Sequence, residues 1–425
     1  MRRGRARWLY ALLVMVGVAL LPSPAAAQDD APSFSGQLLF EGEPVEGVDV
    51  VVADVDGSFS ATATSDADGN WRVEVPSKRA TYDVTLVVET LPEGVELAAD
   101  SAASLQIAVT RPGQERRATF TLGERVSTGT PLVEQIAQAT INGIKLGLIL
   151  AMCSVGLSLI FGTTGLINFA HGELVSFGAV VAFYLNTESL ELTLILAGII
   201  GVVAAGALGA GMELGLMQPL RRMKLGAFQF VVVTIGLSLV GRQLMQMWVG
   251  GEPESYREYQ VQDPWDLGLF QLTPRDLTIM VICFVGLVAA GAALQLTKTG
   301  KATRAVADNP DLASASGIPV DGIILRVWVA GAALAGLGGV MFGLSEVVQF
   351  DAGFRLLLLI FAAVVLGGLG TAYGAMVGGL LIGLVTEVST VWVQNELKFV
   401  WALLALVVAL LIRPQGLLGI KERVG

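Results

Sequence analysis

Between two apolar runs, Ile141–Phe161 and Leu174–Leu185, the stretch Gly162-Thr-Thr-Gly-Leu-Ile-Asn-Phe-Ala-His-Gly-Glu173 gathers three glycines, Asn168, Glu173 and the chain's single histidine, His171. An amide, an imidazole and a carboxylate can move a proton or hold a polar solute. Catalysis is not the expected use. No serine or cysteine nucleophile stands beside His171 in a recognisable motif, and Glu173 is two residues away, a spacing at which helical side chains do not face each other. Lipid supplies no hydrogen-bond partners. A backbone broken by Gly162, Gly165 and Gly172 therefore survives at membrane depth only if it is buried in protein or lines a polar cavity. Polar groups in such a place mark a path for a solute, with Phe169 and Phe177 as the apolar side of a pocket. The competing reading is a buried polar network that only fixes the fold.

A second group with chemistry lies in Thr299–Ile318. Its residues predict a short helix around Ala302–Ala307, a stop at Asn309-Pro310, and a second helix begun by Pro310-Asp311 and ended by Gly317. A helix pair between two apolar spans suits docking on a partner. Gly300-Lys301 is not a nucleotide loop, because Ala302 follows it and the glycine five residues earlier is missing. Any ATP would be used by another chain, and no cofactor is expected in this one.

The elements that must position these residues are membrane helices. With 53% hydrophobic residues, 15% charged residues and a mean hydropathy of +0.67 over 425 residues, the chain is too apolar for a soluble protein. Apolar segments near Ile136–Phe161, Leu174–Leu185, Leu192–Met217, Phe228–Val249, Leu277–Leu296, Ile323–Leu344, Leu356–Leu369, Ala375–Val393 and Phe399–Ile412 approach span length, predicting about eight or nine crossings. Cys153 and Cys283 both fall inside apolar runs, so neither a disulfide framework nor a zinc site is expected. Residues 28–135 carry 19 acids and 7 bases, and residues 136–425 carry 18 acids and 16 bases. An acidic region thus precedes a nearly neutral one, and nucleic-acid binding is excluded for want of a basic patch.

The start of the chain reads differently. Arg2, Arg3, Arg5 and Arg7, the apolar run Trp8–Leu21 and Ala25-Ala26-Ala27 predict a signal peptide over residues 1–27, with an uncleaved anchor as the alternative. Short alternating runs, Val48–Val52, Trp71–Val75 and Tyr82–Val88, predict a small all-β sandwich over 28–125, and Val126–Pro131 opens a linker that ends at 135. Asp66, Asp68 and Asn70 sit at alternate positions as in a calcium loop, but no glutamate follows at EF-hand spacing, and a hairpin turn is expected. Arg221, Arg222, Lys224, Lys298, Lys301, Arg304, Arg413, Lys421 and Arg423 predict cytoplasmic loops and a cytoplasmic C-terminus. The acidic loop Gly250–Arg275 and the sandwich are then extracytoplasmic. The glycines of Leu366–Ala375 suggest a partner for Gly162–Glu173 in an inverted repeat.

The order Gly42 to Val48, then Thr64 to Trp71, then a strand bearing Tyr82, resembles carboxypeptidase-regulatory-like and transthyretin-like immunoglobulin-type modules. Gly165 to Glu173, the loop Gly300-Lys301-Ala302-x-Arg304-Ala305-Val306-Ala307 with Gly317-Ile318, the run Ala330–Gly343 and the end Leu411–Gly419 closely resemble the branched-chain amino acid permease family of ABC importers (LivH type). This second resemblance covers about Leu132 to Gly419. It implies a non-enzymatic permease subunit in a bacterial cytoplasmic membrane, paired with a second related permease, two ATP-binding cassette subunits and an extracytoplasmic solute-binding protein. A solute path through Gly165, Asn168, Phe169, His171, Gly172 and Glu173 is expected, with ATPase coupling through Gly300, Lys301, Arg304, Ala305, Asp308 and Gly317. The rival expectations are a urea or short-amide permease, because urea permeases of that superfamily carry an exported N-terminal region, and a membrane-anchored extracytoplasmic binding module.

Overall fold

The computed structural model describes residues 32–419 apart from 41–42, 56–57, 77–79, 93, 96, 98–102, 110–114, 119, 121, 123–130, 260–261, 395–396 and 414. The predicted signal peptide and residues 126–130 of the predicted linker lie outside the described residues, and the rest of that linker is corrected by the structure, because residues 132–135 already belong to the first helix of the second unit. Two compact units divide the chain, the first within 21–130 and the second from 131 onward.

The first unit is all-β. Strands β2 (Asp49–Asp54), β3 (Ser60–Thr64), β5 (Ala80–Leu86) and β6 (Ser104–Val109) form one antiparallel sheet in the order β3-β2-β5-β6. A second sheet has β1 (Ser33–Gln37) between β4 (Asn70–Glu74) and β7 (Glu115–Arg117). Alternation decides the faces, since Trp71 and Val73 of β4 are buried while Asn70, Arg72 and Glu74 are exposed. Phe34, Val50, Val52, Trp71, Tyr82 and Val84 bring both sheets into one core, and each such side chain contributes about 1.5–3 kcal/mol of burial. The Asp66 loop is a turn. Asp66 Oδ1 accepts from the backbone N–H of Asp68 at 3.0 Å and of Asn70 at 2.8 Å, which commits this carboxylate oxygen to closing the hairpin.

The second unit is helical, and every one of the nine apolar segments forms a helix. These are α1 (Leu132–Thr164), α2 (His171–Phe183), α3 (Leu194–Met212), α5 (Ala227–Val249), α6 (Pro274–Leu296), α9 (Val320–Ser345), α10 (Ala352–Gly367), α11 (Ala372–Val388) and α12 (Lys398–Ile412). Shorter helices are α4 (Gln218–Arg222), α7 (Lys298–Asp308) and α8 (Pro310–Ala315). Among the described residues six helices are long and apolar enough to cross a membrane, counting α3 together with its extension to Arg222. The helices α2, α10 and α12 are shorter, with 13, 16 and 15 residues.

Glycines let the central helices approach closely. A Cβ on Gly143 or Gly147 would meet Leu384 or Leu380 at 2.9 Å, so α1 and α11 pack antiparallel. Gly156 lies against Gly331, and Gly338 against Cys153, so α9 also runs antiparallel to α1. The stretch 162–173 is less broken than its glycines suggest. Gly162 is helical and packs on Gly370, while the interruption is confined to Gly165–Ala170, entered through Gly165 at φ +65°.

The expected repeat partner is corrected by the geometry. Leu366–Ala375 is only a tight turn between α10 and α11, with Gly368 and Gly370 at positive φ. The counterpart of Gly165–Ala170 is Glu346–Asp351. Each is a non-helical link from a long helix (α1, α9) into a short one (α2, α10), and the short helices abut by their N-termini, where Gly172 meets Gly353. Glu346–Asp351 contains no glycine, so a search for paired glycines could not find it.

Candidate functional site

The meeting point of α2 and α10 lies deep in the bundle. His171, the first residue of α2, reaches the main-chain oxygen of Cys153 in the interior of α1 at 2.9 Å. Val175, one turn on, packs against Gly339 well inside α9. A Cβ on Gly172 would come within 2.6 Å of the Gly353 oxygen, and the N–H of Gly353 donates to Ser176 Oγ at 2.8 Å. Both contacts depend on the absence of a side chain at these two glycines.

Polar groups converge there. Asn168, His171 and Glu173 are 2%, 0% and 6% exposed, deeper than such residues normally lie. Asn168 Oδ1 accepts from Ala170 N at 3.0 Å and shapes the link into α2. Glu173 Oε1 accepts from Ser238 Oγ of α5 at 2.8 Å, and Arg242 stands one turn beyond Ser238 on the same helix. Arg242 lies 4.3 Å over the ring of Phe354, and Asp351 Oδ2 accepts from Arg355 at 2.9 Å. One polar atom on each of Asn168, His171, Glu173 and Asp351 is buried without a hydrogen-bond partner: Nδ2, Nδ1, Oε2 and Oδ1. An unmet buried polar group costs about 1–3 kcal/mol, so these four atoms carry an unmatched demand for polar partners.

Of the predicted path residues Asn168, His171, Gly172 and Glu173 are buried and Phe169 is half-buried, whereas Gly165 is exposed at the end of α1 and serves the turn. Phe169 stacks on Phe361 of α10 with ring centroids 5.0 Å apart, and Phe177 is half-buried on α2. Sequence reasoning missed Arg242, Ser238, Ser176 and Asp351, which arrive from α2, α5 and the α9–α10 link. Arg242 did leave a signal. It is the only cation inside the apolar run Phe228–Val249, and a charge within a span marks function by default.

The second predicted group sits apart from the first. Thr297 Oγ1 accepts from Gly300 N at 2.9 Å and Asn309 Oδ1 from Leu312 N at 2.9 Å, so each short helix has a side-chain N-cap. Gly300, Thr303 and Val306 form the buried face of α7, with Val306 in a core shared with Ile160, Met217, Ile324 and Trp328. Lys301, Arg304 and Asp308 are exposed on the other face, Ala305 is half-buried, and Gly317 ends the pair at φ +84°. The helix α7 is thus anchored by one face and presents charged side chains on the other.

Nearby, Glu213 is fully buried and paired bidentately with Arg221, while Arg222 pairs with Asp321 at 2.8 Å. Arg221 and Arg222 thus each have an acid beside them in space.

Discontinuous helices that abut at a polar centre within an apolar bundle define a multi-pass membrane transport protein. The sequence comparisons agree. Residues 139–412 match the family model described as the permease component of branched-chain amino acid transport systems, and the chain belongs to that family. It is 30% identical to the high-affinity branched-chain amino acid transport system permease protein LivH of Escherichia coli K12, over 67% of this chain and 96% of that protein. It is 28% identical to BraD of Pseudomonas aeruginosa, a permease protein of the same kind of system, over 69% of this chain and 98% of that one. A permease protein named LivH from Methanocaldococcus jannaschii is 27% identical, over 64% and 89%.

Proposed function

We propose that this chain is the membrane permease subunit of an ABC importer for branched-chain or closely related small amino acids. It would work in a bacterial cytoplasmic membrane with a second related permease, two ATP-binding cassette subunits and an extracytoplasmic solute-binding protein. The observation that carries the reading is the abutting pair α2 and α10, with unmet polar atoms on Asn168, His171, Glu173 and Asp351 beside the aromatic pair Phe169 and Phe361. A zwitterion with an aliphatic side chain needs that combination of polar groups and apolar surface. The names of the relatives support the solute class.

In this reading Gly165 and Gly172 allow the break and the close approach, while Asn168, His171 and Glu173 line the path. The outer face of α7, with Lys301, Arg304 and Asp308, docks on the ATPase; Gly300, Ala305 and Gly317 seat and end the pair. Residues 28–135 are extracytoplasmic and the C-terminus is cytoplasmic.

Uptake competition in cells holding matched amounts of each variant tests the solute path. Phe169→Leu is expected to change the preference among leucine, valine and smaller solutes. An unchanged preference with a lowered folding yield would reduce the stretch to structure. Coupling is tested separately: Arg304→Glu is expected to abolish uptake and uncouple ATP hydrolysis at normal membrane levels, and wild-type uptake in that variant would exclude the docking role.

A further inference from the structure

A groove of about 550 Å³ lies between α3 and α6 with α9 as its floor. Its wall is aliphatic, formed by Ile195, Ile199, Val203, Ile282, Val340 and Leu344. Ile195, Ile199 and Val203 are more than half exposed, so the groove opens sideways toward lipid rather than into the bundle. At one end it runs into a polar hollow of about 120 Å³ that shares Tyr259, Arg275 and Leu344 with it and adds Ser255, Glu258 and Glu346. Arg275 belongs to both spaces, and its Nε is buried without a hydrogen-bond partner. Its neighbour Asp276 is engaged by Lys145 at 3.1 Å and lies 3.7 Å from Arg275 Nε. Tyr259 stands where groove and hollow meet and is held at φ +66°. A non-glycine residue keeps such a conformation only where its surroundings impose it.

We propose that this groove and hollow bind one ethanolamine phospholipid, with its acyl chains along the aliphatic wall, its phosphate on Arg275 and its ammonium group between Glu258 and Glu346. The aliphatic wall and its sideways opening select acyl chains, and a groove of about 550 Å³ would be left mostly empty by a small solute. The charges select the headgroup. A cation flanked by two carboxylates complements a zwitterion, whereas an anionic glycerol headgroup would leave both glutamates facing it uncompensated. A choline headgroup has the charge but no N–H to donate to them.

The test uses the full-length protein in nanodiscs of equal parts phosphatidylethanolamine, phosphatidylcholine and phosphatidylglycerol. After gentle extraction, retained lipid is counted by native mass spectrometry. One phosphatidylethanolamine per chain is expected, favoured about tenfold or more over the other two, as charge-assisted hydrogen bonds to the headgroup imply. Arg275→Gln and Glu346→Gln are each expected to erase that preference, and Ile199→Trp, which fills the groove, to expel lipid of every class. Equal retention of the three lipids by the unaltered protein overturns the proposal and needs no variant. Undiminished retention in Ile199→Trp also overturns it, as does a lipid-free groove whose Ile199→Cys variant crosslinks to a partner subunit.

Discussion

His171 Nε2 lies 2.9 Å from the main-chain oxygen of Cys153, so α2 is tied at its first residue to the interior of α1. A carbonyl oxygen only accepts, so Nε2 carries the proton. His171→Leu is expected to cost the roughly 0.5–1.5 kcal/mol of a lost hydrogen bond, read as a lower melting temperature in detergent. His171→Gln, which keeps an N–H donor, should lose less. Both should impair uptake, and unchanged melting of the leucine variant would refute the tie.

The contact between Gly172 and Gly353 makes a sharper prediction. A methyl group on Gly172 would sit 2.6 Å from the Gly353 oxygen, and one on Gly353 would press closer still on Gly172. Overpacking of this kind costs about 1–3 kcal/mol. Gly353→Ala should therefore lower membrane yield and melting temperature more than Gly172→Ala, and parity of both variants with the parent would show that the helices need not touch.

Glu213 and Arg221 form a pair in which the acid is fully buried. Removing one member of such a pair typically costs about 3–5 kcal/mol, while replacing both by apolar residues is often neutral. Glu213→Gln should destabilise strongly, and the double variant Glu213→Leu with Arg221→Met should recover most of the loss. Breaking the exposed Arg222–Asp321 pair should cost less than about 1 kcal/mol. Denaturation of these three variants in one detergent checks the ordering.

The topology can be tested with protease on spheroplasts. Cleavage is expected between the two units, releasing the β unit and leaving the helical unit in the membrane. Protection of the β unit in intact spheroplasts would reverse the orientation.

Much of this architecture was legible in the sequence. All nine apolar segments became helices, and Asn309-Pro310 and Gly317 marked the α7–α8 pair because caps and breakers act locally. The strands at Val48, Trp71 and Tyr82 followed from alternation. What could not be read was contact across the chain. Ser238 lies 65 residues from the carboxylate it bonds, and Ser176 lies 177 residues from Gly353, so no local pattern joins them. The glycines misled for a physical reason: Gly162 and Gly370 serve helix packing and turns rather than the central break.

The abutment of α2 and α10 also carries an electrical consequence. Each helix N-terminus behaves as roughly half a positive charge, and here two face each other away from water, where such charges are weakly screened. Glu173 in the first turn of α2 and Asp351 at the N-cap of α10 supply the countercharge. The backbone therefore makes the centre of the protein an anode with two carboxylates as its ballast. An arriving carboxylate group would compete with Glu173 and Asp351 for the same pair of dipoles.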